Sequence, residues 1–182
     1  MDNREEIIDG NVVMQASPRW EHSDIVRNLC FVIQRHLSPD CIVYSDNVDL
    51  VIDDKTRYIP DLLVTKKENR LPNGKVGGVP KLIVEVWSPD NTTKERLLKK
   101  DKYARLGVNQ FVEIDYKAKF AINNLLTNGA YYTDKHVVAR EDAEFVDDDG
   151  NPVEVDRKIH INCINLDVDI LDLFKDDVLK YL

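Results

Sequence analysis

The chain has 182 residues, 43% of them hydrophobic and 32% charged, with a net charge of −8. This balance excludes a disordered polar chain, and no apolar run approaches the roughly 20 residues that a membrane-spanning helix needs. Cys30, Cys41 and Cys163 are odd in number and follow no zinc spacing, which excludes a disulfide scaffold and suits reduced packing residues in the cytoplasm. The length fits a single domain over residues 1–182, able to bury roughly 70% of its unfolded surface.

The polar, acidic start from Met1 to Glu6 lacks the basic segment and apolar run of a secretory signal. Asp9-Gly10 between apolar pairs predicts a hairpin over Glu5 to Met14. After Ser17-Pro18, the spacing of Ile25, Val26, Leu29, Val32, Ile33 and Leu37 predicts a helix from about Glu21 to Leu37. His22 shares its apolar face and should point inward. Cys41 to Tyr44 and Val48 to Ile52 read as strands, and Asp53 to Thr56 as a turn. Arg57 to Val64 reads as the next strand, with Pro60 marking a strand start or an irregularity. Glu68 to Val79 reads as a polar loop, of a size that is often functional or mobile.

Lys81 to Trp87 is apolar apart from Glu85 and reads as a buried central strand. Ser88-Pro89 stops it. Thr92-Thr93-Lys94-Glu95 fits a capping box and Gly107 a left-handed terminator, so a helix should run from about Thr93 to Leu106. Glu95, Lys99 and Tyr103 (or Lys102) then share a face. Val108 to Asp115 reads as a strand, and Phe120 to Leu126 with Ala130 to Val138 as a hairpin across Asn128-Gly129. Residues 141–156 form an acidic excursion that lacks the spaced ligands of a calcium loop. Ile159 to Leu166 reads as a last strand and Asp169 to Leu182 as a short acidic helix covering a sheet edge or a partner subunit. The order predicts an α/β domain with a mixed central β-sheet flanked by helices.

Charge is unevenly spread. Residues 1–54 carry −7, residues 55–105 carry +7 and residues 106–182 carry −8. A local positive field can attract a polyanion although the whole chain is negative.

Within the basic third, Asp61 and Glu85 interrupt two apolar strands. An unpaired buried carboxylate is costly, so their presence calls for a cation. Magnesium is held by one or two carboxylates together with water and substrate phosphates, and it polarises phosphate and acidifies water. Lys99, two turns into the following helix, can return over the end of the Glu85 strand and stabilise charge on a phosphate. Glu95 could add a ligand or hold Lys99.

Pro60-Asp61, Glu85-Val86-Trp87-Ser88-Pro89, Glu95, Lys99, Tyr103-Ala104-Arg105 and Gly107-Val108 together resemble the bacterial Uma family, within the PD-(D/E)XK nuclease superfamily. The likeness spans most of the chain, from Ile7-Ile8-Asp9-Gly10 and the His22 helix to Ile164-Asn165-Leu166-Asp167 and Leu173-Phe174. It implies a restriction-endonuclease-like fold with N-terminal and C-terminal β-hairpin additions. It also implies metal-dependent hydrolysis of phosphodiester bonds, with Asp61 and Glu85 as metal-binding acids and Mg²⁺, or Mn²⁺, as the metal. The superfamily's usual lysine would stand at Trp87; in the Uma family a lysine of the next helix is taken as its substitute, here Lys99. His22 matches a histidine near the presumed site, and Glu95 stands where the family more often has Asp. The expected partners are DNA and a second copy of the chain, with no membrane. The rival expectation is a catalytically degenerate nuclease fold acting as a nucleic-acid-binding or protein-interaction module.

Overall fold

The computed structural model describes residues 5–15, 17–45, 48–140, 145–153, 155–175 and 177–181. β1 (Glu5–Ile8) and β2 (Asn11–Met14) form the first hairpin. Asp9 and Gly10 take φ of 50° and 83° at its turn, the left-handed pair that a two-residue hairpin loop needs. Helix α1 (Trp20–His36) follows, then β3 (Cys41–Ser45), β4 (Leu50–Asp53), β5 (Thr56–Tyr58), β6 (Leu62–Lys66) and β7 (Leu82–Trp87). Helix α2 (Thr93–Leu106) leads to β8 (Gln110–Asp115), β9 (Phe120–Thr127) and β10 (Ala130–Val138). The chain ends with β11 (Lys158–Ile161), β12 (Leu166–Asp169) and the short α3 (Ile170–Lys175).

The described strands form three sheets. A mixed sheet runs β10-β9-β8-β7-β6-β3, an antiparallel one β2-β1-β5-β4, and β11 pairs with β12. β7 and β8 are parallel, a pairing that needs a crossover, and α2 supplies it. Alternation along β7 separates two cores. Val84 and Val86 pack with Ile25, Leu29 and Ile33 of α1. Ile83 and Trp87 pack with Leu50, Tyr58, Tyr103 and Phe111. The large mixed sheet therefore lies between α1 on one face and α2 with the smaller sheet on the other, and Glu85 belongs by alternation to the second face.

Four expectations need correction. The single strand over Arg57 to Val64 is two: β5 lies in the smaller sheet and β6 in the larger. Pro60 has no N–H to continue a ladder, and the amide of Ile59 is taken by the Glu6 side chain. The loop after β6 is pinned, because buried Val76 exchanges backbone hydrogen bonds with β4 and the residue before it, Val51 N to Val76 O and Val76 N to Asp49 O, both 2.9 Å. The last strand is a hairpin, β11–β12, with Asn165 at φ 50° in its turn; asparagine tolerates that conformation. The terminal helix is shorter than expected and packs on α1, where Asn28 donates to the Leu173 carbonyl at 3.0 Å. The hairpin β9–β10 forms one edge of the large sheet, and β11–β12 is a C-terminal hairpin outside it. Residues 141–144 and 154 of the acidic excursion lie outside the described residues.

Candidate active site

Asp61 stands where the chain passes from one sheet to the other. In the antiparallel register Leu62 faces Val84, so Asp61 would be next, opposite Glu85. The ladder stops there, and the carboxylate continues it: Asp61 Oδ2 accepts the Val86 amide at 2.8 Å. The same oxygen lies 3.1 Å from His22 Nε2, which reaches it from the helix on the other face of the sheet. Burial opposes ionisation of Asp61. The His22 hydrogen bond and charge, Lys99 and the Val86 amide outweigh that and hold its carboxyl below the usual aspartate value.

Glu85 is 2% exposed. Lys99 Nζ donates to its two oxygens at 3.1 and 3.2 Å, and the Tyr103 hydroxyl donates to Oε1 at 2.6 Å. Burial pushes the Glu85 carboxyl up to about 8, against the pull of Lys99. Lys99 itself is buried, which disfavours its charge, but Glu85, Glu6 and Asp61 more than compensate and hold its ammonium above the ordinary lysine range. The ammonium lies 5.3 Å from the centre of the Tyr58 ring and 5.9 Å from that of Trp87, within cation–π range.

Glu6 was missed from sequence. It is 2% exposed, and its Oε1 accepts from Lys99 at 3.0 Å and from the Ile59 amide at 2.9 Å. A signal existed. Neighbouring residues of a strand point to opposite faces, so one of Glu5 and Glu6 had to face inward once the hairpin packed on anything.

His22, Asp61, Glu85, Lys99 and Glu6 thus line one pocket of about 290 Å³. Glu95 lines it too, but its carboxylate serves the helix cap: Oε2 accepts from the Thr92 amide at 2.7 Å and the Thr92 hydroxyl at 2.9 Å. The carboxylates holding Lys99 are those of Glu85 and Glu6. Trp87, where the superfamily's lysine would stand, donates its Nε1 proton to Glu113 at 3.0 Å.

Helix α2 docks through charge. Arg96 meets Asp115 at 3.0 Å, Lys99 meets Glu85 and Lys100 meets Glu113, both at 3.1 Å. Much of the positive charge of residues 55–105 is thus engaged in ion pairs. Of their 13 basic residues, at least eight are ion-paired: Arg57, Lys66, Lys75, Arg96, Lys99, Lys100, Lys102 and Arg105.

Two carboxylates are the number a protein commonly gives to Mg²⁺, and hard oxygen donors are the kind it takes. Asp61 and Glu85 meet both conditions, and Glu85 with Glu6 holds one cation of the protein's own, the Lys99 ammonium. Among the described residues no group of three or more His, Cys, Asp or Glu side chains is arranged to hold a metal, so water and substrate oxygens would have to complete a shell. No helix among the described residues is long and apolar enough to cross a membrane.

Comparison with known proteins bears on the fold and the family. No curated protein matches the chain. A crystal structure titled as a putative nuclease belonging to DUF820, from Anabaena variabilis ATCC 29413, superposes with a TM-score of 0.70. It is 18% identical, over 96% of this chain and 92% of that one, a likeness that establishes the restriction-endonuclease-like fold. The model of the Uma2 family, described as "Putative restriction endonuclease", matches residues 1–144. The chain therefore belongs to the Uma2 family.

Proposed function

We propose that this protein is a divalent-metal-dependent endonuclease that hydrolyses DNA, using Mg²⁺ with Mn²⁺ as a substitute, and that it works in the cytoplasm as a homodimer. The observation that carries the reading is the convergence of Asp61, Glu85, Lys99 and His22 in one pocket. These residues come from α1, the β5–β6 connection, β7 and α2, and each is buried although polar. Groups so costly to bury gather where chemistry needs them.

Asp61 and Glu85 would hold the metal, which when bound supplies Lewis-acid polarisation of the phosphate and a more acidic water. His22 keeps Asp61 ionised and fixed in direction. Lys99 presents a permanent positive charge to the negative charge that builds on the phosphate oxygens during attack. Tyr103 orients Glu85 through its hydroxyl, which donates to Oε1. A symmetric pair of such sites would suit the two strands of a duplex.

The test is cleavage of supercoiled plasmid in Mg²⁺ or Mn²⁺, with Asp61→Ala as control. The variant should lose at least about 100-fold, the effect of removing several kcal/mol of metal stabilisation. A wild type that cuts no DNA or RNA, duplex or branched, with either metal would remove the enzyme reading, and cleavage of RNA alone would redirect the substrate. A second reading is a degenerate nuclease fold that binds without cutting. It is favoured by the full engagement of Glu85 with Lys99 and Tyr103. Calorimetry separates the two, since that module would bind nucleic acid while taking up no metal.

A further inference from the structure

We infer that Glu6, on the N-terminal hairpin, is a positioning residue that receives the Lys99 ammonium when a metal takes its place on Glu85. This rests on the metal-site reading above and adds a part to it. Lys99 Nζ lies 3.0 Å from Glu6 Oε1 and 3.1 Å from Glu85 Oε1, so it is shared between two carboxylates. Only one of these belongs to the expected metal pair.

A metal binding to Glu85 must compete with that ammonium. An ammonium left in a buried pocket without a partner would be costly. Glu6 removes the conflict, because Lys99 can give up Glu85 and keep a buried ionic partner without leaving the pocket. Glu6 itself is fixed. Its Oε1 also accepts the Ile59 amide at 2.9 Å, two residues before Asp61. One carboxylate therefore ties the hairpin, the segment that carries Asp61, and the lysine. The Glu6 side chain is buried and meets Lys99 and the Ile59 amide, so a role as a surface acid does not account for it.

The test is a double-mutant cycle on Mn²⁺ affinity, measured by calorimetry with Glu6→Gln, Lys99→Met and the double variant. The glutamine retains an oxygen for the Ile59 amide and removes only the charge. With Lys99 in place, Glu6→Gln should weaken Mn²⁺ binding about 10- to 100-fold, the usual cost of losing a group that supports a metal ligand. In the Lys99→Met background the same change should have no weakening effect, because the ammonium it serves is gone. An equal loss in both backgrounds would overturn the inference and make Glu6 a ligand or a structural residue.

A cooperative urea transition is checked first. Should Glu6→Gln fail to fold, Glu6→Asp, which keeps the charge and shortens its reach, takes its place in the cycle with the same expectations. Should the wild type bind no Mn²⁺, the metal reading fails and with it the receiving role. Acetylation of Lys99 in the metal-free protein, mapped by peptide mass, then distinguishes what remains: faster labelling in Glu6→Gln shows that Glu6 still holds the lysine, and unchanged labelling that it does not.

Discussion

At the scale of single residues, the site is a set of charges that solve one another's burial. Lys99 is fully offset by its partners, whereas Glu85 is not. Its carboxyl, ordinarily near 4.5, is pushed up to about 8 by burial against the pull of Lys99. A carboxyl raised in the folded state adds stability that is complete below pH 4.5 and is lost as pH rises through the folded value. Glu85→Gln has no proton to lose there. In EDTA, the urea midpoint of the wild type should therefore fall relative to the variant between about pH 5 and about pH 9. A difference that stays flat would mean that Lys99 and Tyr103 hold Glu85 ionised throughout. The acids themselves were legible in sequence, because a carboxylate in an apolar strand stands out. Glu6 was not, since it lies in a polar segment where strand parity alone decides which acid turns inward. Glu95 was legible as a capping residue, and the capping box with Thr92 is present.

At the scale of elements, α2 is the unusual piece. It buries Lys99, Tyr103 and Ala104 rather than an apolar stripe, and its orientation is set by the three ion pairs to β7 and β8. Buried ion pairs fix geometry more reliably than they add stability. The helix therefore depends on its ends. The Thr92–Glu95 capping box closes one, and Gly107, at φ 92°, closes the other. Thr92→Ala should cost about 1 kcal/mol, which corresponds to roughly 2–4 °C in Tm for a chain of this size. Scanning calorimetry checks this, and an unchanged Tm would mean the ion pairs alone hold the helix. Periodicity and capping signals revealed α1, α2, β7 and the two Gly-turn hairpins, since these are local codes. The split between β5 and β6 was not legible. Pro60 announces an interruption, but only the Glu6 contact, 53 residues away in sequence, shows that the chain changes sheets there.

At the scale of the whole molecule, the positive charge of residues 55–105 is largely spent internally. A net charge of −8 surrounds a pocket whose own wall includes Glu6, Asp61, Glu85, Asp90 and Glu95. Without metal, such a surface neutralises few phosphates. Duplex binding in EDTA should be weak and shallow in salt, with a slope of log affinity against log salt no steeper than about −3, each neutralised phosphate contributing roughly −0.9. Fluorescence anisotropy across a NaCl series measures it, and a steep slope would reveal a basic face formed by residues not paired above. The site is also assembled from distant parts of the chain. His22 meets Asp61, Asp61 meets Val86, and Glu6 meets Ile59 and Lys99. None of these contacts forms within a single helix or hairpin, and closing such long loops is slow compared with forming local structure. The pocket is therefore among the last features to exist during refolding, after α1 and α2 have acquired their helical signal. A nascent chain released from the ribosome would carry its hydrolytic potential only once its two sheets had met.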